Sequence, residues 1–277
     1  MGFYQQDNTI LTPNYDFRGL HNYRERYNLE NAWTPEEITT IGWWDSSDLT
    51  TLVQSGGVVS QLNDKSGVGA HMVQTDPLKR PITGTNSING KSVIKYDAGS
   101  FLSCSSFAMP TSGDIAIFML CQIQSVSNDF DAIFAYNGLG ENFQVDAANS
   151  PNFDGRIENR VTNAKVNFTG GPFEGNRIFN LNYKRTDGGV FNAFVDGVQR
   201  APDTAYLVNI QTTGLFSIFT NRGQTLSPVG VSGELIVTED ISTKTRKNIE
   251  GYLSKKWAIC GLLQSDHIFR LSFPLKN

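Results

Sequence analysis

Apolar and polar positions alternate in short runs along most of this chain, and turn residues punctuate them. The strongest run is "GDIAIFMLCQI", apolar on both faces from Ile115 to Cys121, which predicts a strand in the middle of a sheet. In "NRIFNLNYKR", Phe179, Leu181 and Tyr183 fall on one face and Asn180 and Asn182 on the other. "VFNAFVDGVQR" reads as a hairpin, with Asp196-Gly197 suited to a type I′ turn. Asn89-Gly90 in "INGKSVIKYD" and Asp64 to Gly67 in "LNDKSGVG" mark further turns. "GLFSIF" and "VGVSGELIVTE" add two strands. In the second, Val231, Leu235 and Val237 share a parity with Gly233. No βαβ rhythm interrupts the series, so the pattern predicts an all-β sandwich or jelly roll.

The period changes only near the end. Ile249, Tyr252, Leu253 and Trp257 recur at spacings of three and four, which predicts one helix near 242–257 that packs on the sandwich. Ser242 is placed to cap it, with Thr245 at the third position where a full capping box would carry Glu or Gln. Lys247, Glu250, Ser254 and Lys255 fall on the other side and are expected to be solvated. Lys255 and Lys256 complement the negative end of the helix dipole, and the lysines are expected to form its wet face. At the other terminus, residues 1–33 are polar and aromatic without a sustained period. Thr34-Pro35, with Glu37 three residues after the cap, predicts a short helical turn. The expected organisation is an extension or assembly arm over 1–38, then one sandwich over 39–277 that includes the helix.

Composition supports a globular chain and removes several functions. Of 277 residues 39% are hydrophobic, and 18 Phe, 9 Tyr and 4 Trp supply a core. The net charge of -4, with no basic tract, argues against nucleic acid and against a polybasic membrane anchor. No apolar run approaches a membrane span, and the first residues lack a signal-peptide pattern. Cys104, Cys121 and Cys260 are scattered and odd in number, so they read as buried apolar residues. His21, His71 and His267 are equally dispersed, and no metal or cofactor is expected.

Four stretches carry a resemblance. "WWDSSDLTTL", "VSQLNDKSGVG", "INGKSVIKYDAGSFL" and "VSGELIVTEDISTKTRKNIEGYLSKKWAI" together resemble the concanavalin A-like, laminin-G-like jelly-roll domains found in phage tail, fibre and other virion proteins. The match spans residues 41 to about 270, with His267 near a position where the family often has histidine. Ala258 departs from it, standing where the helix often ends in Gly. The resemblance implies a concanavalin A-like antiparallel β-sandwich and a noncatalytic structural or adhesion role in a virion. Other virion proteins, further copies of the chain and host-surface saccharide are the partners it implies.

"GTNSINGKS" has one residue too many for a phosphate-binding loop and leads into a strand, where a helix N-terminus is needed. Asp45 and Asp48 in "DSSD" read as turn caps, as does Asp64. A glycoside hydrolase of the same superfamily would need two carboxylates flanking the bond. Glu141 and Asp146 are five apart and fall on opposite faces of a regular strand. Saccharide binding needs aromatic faces for C–H surfaces and polar side chains for hydroxyls, held on loops of a rigid scaffold. Tyr136, Asn137, Asn142 and Phe153 in one long stretch, with Asn221 and Arg222 in another, supply those types. The alternative is a purely structural virion protein that binds no glycan.

Overall fold

A computed structural model of the protein describes residues 32–110, 112–126, 131–137, 142–146, 156–159, 164–167, 175–205, 213–220, 227–270 and 274. The described strands are β1 (Thr40–Asp45), β2 (Leu52–Ser55), β3 (Val58–Leu62), β4 (Met72–Val73), β5 (Ile82–Ile88), β6 (Lys91–Tyr96), β7 (Leu102–Ala108), β8 (Ile115–Ser125) and β9 (Ala132–Asn137). Then come β10 (Asn142–Asp146), β11 (Arg156–Asn159), β12 (Ala164–Asn167), β13 (Gly175–Lys184), β14 (Val190–Val195), β15 (Val198–Ala205), β16 (Thr213–Ile218) and β17 (Val229–Thr238). One α-helix, α1 (Thr243–Lys256), follows among the described residues.

All described pairings are antiparallel, and they build two layers. The first runs β15-β14-β13-β8-β17; β1 and β6 share the far edge of β17, and β5 lies beyond β6. The second runs β12-β11-β10-β9-β16-β7-β4-β3-β2. A single Val58–Ile82 pairing between β3 and β5 joins them.

The period-two pattern explains how the layers close. Ile115, Ile117, Met119 and Cys121 of β8 enter the core between the sheets, while Ala116, Phe118 and Leu120 meet α1 on the outer face. β8 is therefore buried on both sides, and its two-sided apolar run follows from that. Phe179, Leu181 and Tyr183 of β13 enter the same core, as their parity requires. β17 departs from its pattern. Its register slips between Ser232 and Glu234, so Val231 faces the helix layer while Leu235 and Val237 face the inter-sheet core. A bulge adds one residue and reverses the faces beyond it, which simple parity cannot foresee.

The turns form as the sequence predicts. Asn89 and Gly90 have φ of 49° and 81°, and Asp196 and Gly197 have 54° and 78°, as a type I′ turn needs. The Ser242 hydroxyl accepts the Thr245 N–H at 3.1 Å, and Asp240 accepts Ser242 N–H and Thr245 O–H. Residues 35–37 form a single 3-10 turn, but Thr34 closes it through its backbone carbonyl, with no side-chain cap. The described part of the expected arm packs on the sandwich: the Trp33 ring stands edge-on to Tyr252 at 6.3 Å. Residues 1–31 lie outside the described residues.

The helix corrects one expectation more strongly. Its apolar stripe packs on the first sheet, yet Glu250 and Ser254 are fully buried and Lys256 is nearly so. The segment after the helix folds back over its other side. His267 Nε2 sits 3.0 Å from Glu250 Oε2, Lys255 Nζ donates to the Arg270 carbonyl, and Phe269 lies against Gly251. A helix covered on two sides needs partners for its polar groups, and Glu250 also accepts two bonds from Arg246.

Candidate functional site

Two regions hold concentrated polar side chains: the helix side of the first sheet and the outer face of the second. The first is built on Asp45 and Glu234, which pair directly across β1 and β17. Lys256 of α1 enters between them. Its ammonium donates to Asp45 Oδ2 at 2.7 Å, Glu234 Oε2 at 2.6 Å and the Tyr252 hydroxyl at 3.2 Å. Glu234 also accepts from Trp43 Nε1, Tyr252 O–H and Trp257 Nε1 at 2.8–3.0 Å. Asp45 Oδ1 accepts the Ser47 N–H and O–H, and Lys65 links Asp45 to Asp48 nearer the surface.

This cluster contains two adjacent carboxylates, so its acid–base capacity matters. Burial works to raise the Asp45 carboxyl. The Lys256 and Lys65 ammonium groups and the hydrogen bonds from Lys256 and Ser47 overcome it, holding Asp45 at about 2. An acid held that low donates no proton near neutrality. Glu234 spends both oxygens on four donors. The pair is an ionic clamp that fixes α1 to two strands, with the oxygens of both carboxylates already occupied by donors. Asp48 and Asp64 do the turn work expected of them. Asp48 accepts Thr50 N–H and O–H, and Asp64 gathers the N–H groups of Trp43, Ser66, Gly69 and Ala70.

Sequence pattern missed this clamp, although two signals were present. Glu234 is the lone charge in a strand apolar on both faces. Lys256 lies three and four positions after Leu253 and Tyr252, within the apolar stripe itself. A charge on a core-facing line calls for a buried partner.

The outer face of the second sheet has a different make-up. Gln144 of β10 pairs with Ala135 of β9, Ala135 with Ser217 of β16, and Ser217 with Ser103 of β7. These positions form one row of small or polar residues across four strands. Their neighbours Val145, Phe134, Phe216 and Cys104 turn into the core. Gln144, Ala135 and Ser217 are buried and Ser103 is half-buried. Ser217 Oγ lies 3.3 Å from the carbonyls of Ala135 and Thr220.

The saccharide candidates distribute unevenly around this row. Asn137 and Asn142 are direct register partners between β9 and β10, and Leu215 of β16 faces Asn137 in the next pairing. Tyr136 is 1% exposed, with its ring edge-on to Phe107 at 6.5 Å, and burial pushes its hydroxyl up to about 12. It fills the core and presents no open ring face, because its parity matches Phe134 and Phe216's partners on the inner side. Phe153, Asn221 and Arg222 lie outside the described residues.

Comparison with solved structures places the architecture. The receptor-binding domain of botulinum neurotoxin D is similar at a TM-score of 0.54 and 10% identity, over 78% of this chain and 53% of that one. The serotype G binding domain gives 0.53 and 12%, over 78% and 51%. A GH54 α-l-arabinofuranosidase gives 0.52 and 10%, over 85% and 64%. The chain thus spans about half to two-thirds of these structures. No model of a known protein family matches it, and neither does any curated protein. At such identities the likeness is one of fold alone, that of a concanavalin A-like jelly-roll β-sandwich.

Proposed function

We propose that this chain is a noncatalytic saccharide-binding module of a virion structural or adhesion protein. The observation that carries the reading is the register pairing of Asn137 on β9 with Asn142 on β10, next to Leu215 of β16, at the end of a buried polar row. Amide and hydroxyl groups on a rigid sheet suit the many hydroxyls of a sugar. Structures named as binding domains of botulinum neurotoxins and as an arabinofuranosidase contain the same fold over about half to two-thirds of their length, which supports a binding role. The clamped carboxylates favour binding over hydrolysis. Placement in a phage particle, with other virion proteins and further copies as partners, rests on the four sequence stretches.

A glycan array probed with the full chain tests the proposal. Saturable binding that Asn137→Ala or Asn142→Ala abolishes, with the unfolding midpoint unchanged, is the expected result. A folded, assembled protein that retains no saccharide overturns it and leaves a scaffold that makes protein contacts alone. Release of reducing sugar from a bound oligosaccharide overturns the noncatalytic part.

A further inference from the structure

The turn between β5 and β6 does more than reverse the chain. Asn89 and Gly90 are both exposed, and open space surrounds Gly90 where a side chain would stand. Yet the Asn89 side chain reaches the far end of α1. Its Nδ2 donates to the Trp257 carbonyl at 2.9 Å and to the Ala258 carbonyl at 3.1 Å. The last carbonyls of a helix lack partners within it, and they carry the negative end of its dipole. Ala258 adds a demand of its own, because its φ of 52° is left-handed and unfavourable for a residue with Cβ. The Asn89 amide therefore secures a strained helix end from the opposite side of the chain.

An asparagine followed by glycine is also the pair whose side chain and backbone react most easily, since glycine leaves the peptide nitrogen unobstructed. We propose that Asn89-Gly90 is a deamidation site coupled to the seating of α1. The Gly90 nitrogen gives its proton to water and bonds to Asn89 Cγ. Nδ2 takes a proton back from water, the Cγ–Nδ2 bond breaks and ammonia leaves, so a succinimide forms. One water then opens either ring carbonyl, giving aspartate or isoaspartate. Water is the sole co-reactant, and no atom changes oxidation state.

The product is the wrong group for its place. A carboxylate at 89 has no proton to donate, and it sets a negative charge against two carbonyls and the negative helix end. Both Nδ2 bonds must open before Cγ can turn toward the Gly90 nitrogen, so the native fold slows the reaction without closing it.

The test is peptide mapping of the full chain after prolonged incubation at mildly alkaline pH, native and in denaturant. Aspartate and isoaspartate are expected at Asn89 in both, accumulating several-fold more slowly in the native protein. The modified fraction is expected to melt about 2–6 °C lower, matching Asn89→Asp, while Asn89→Gly, which loses the donors without adding charge and tolerates the positive φ, falls less. An Asn89 unmodified in native protein at a time when the denatured chain has converted overturns the site. Modified protein, or Asn89→Asp, melting with the parent overturns the coupling to α1.

Discussion

The β1–β17–α1 seam of the first sheet and the outer row of the second use their polar residues in opposite ways. On the first, Asp45, Glu234 and Lys256 are buried beneath α1, and every charged oxygen is matched by a donor. On the second, Gln144, Ser217 and Ser103 share a row with Ala135 and carry no charge. Strong, matched, charged pairs make a region expensive to alter and leave nothing for a ligand. Neutral amides and hydroxyls cost less to bury than charges. The contrast teaches that the most polar cluster in a protein can be its most structural one. Binding is better sought where polar groups are weaker.

Substitutions can break or sharpen that contrast. The largest effect is expected from Lys256→Met, which removes the buried cation between Asp45 and Glu234 and leaves Asp45 with the more distant Lys65. Denaturant unfolding should show a loss of about 3–5 kcal/mol, whereas saccharide binding by the remaining folded protein should hold. Acid comes next. The folded pKa of Asp45 is depressed to about 2, so its stabilising contribution is complete above the unfolded value near 3.8. It disappears as pH falls through 2. Melting temperature should drop steeply between about pH 4 and 2, and Lys256→Met should remove much of that slope.

Asp196 works in the opposite sense. Burial raises it to about 6 against the Ile178 N–H and the Arg177 and Arg200 guanidinium groups. A carboxyl with a raised folded pKa favours the fold when protonated, and that advantage fades as pH rises from about 4 through 6. Asp196→Asn keeps an acceptor for Ile178 and tolerates the positive φ of the turn. It should gain about 1–3 kcal/mol at pH 8 and nothing below pH 4, as read by melting at the two pH values. The smallest effect is expected at Ala258→Gly, which relieves the left-handed backbone at the helix end. A gain of about 0.5–1 kcal/mol in chemical unfolding would agree with that.

The sandwich was legible because its strands obey their period and its turns carry their required residues. Ile115–Cys121, Asp196-Gly197 and the stripe of Ile249, Tyr252, Leu253 and Trp257 each gave the right local answer. Failures arose where an element took instructions from elsewhere. The face of Val231 depends on a bulge made with β8, and the burial of Glu250 depends on residues 263–270 folding back across α1. The saccharide candidates show the same limit. Residue type alone could not separate Tyr136, whose position on β9 turns it into the core, from Asn137 one residue later, which pairs with Asn142. A candidate chosen for its chemistry still needs its strand's register.

One pairing also sets the order in which the molecule can be completed. β1 lies against β17, and Asp45 meets Lys256 across 211 positions of chain. During synthesis Trp43 and Trp44 therefore emerge long before the strand that will flank them, and β1 waits with an open edge. Contacts this distant are slow to form, and unpaired edges invite other chains. The seam at β1, β17 and α1 is the last to close, so a nascent chain halted before residue 229 would hold most of the second sheet yet remain a client for chaperones.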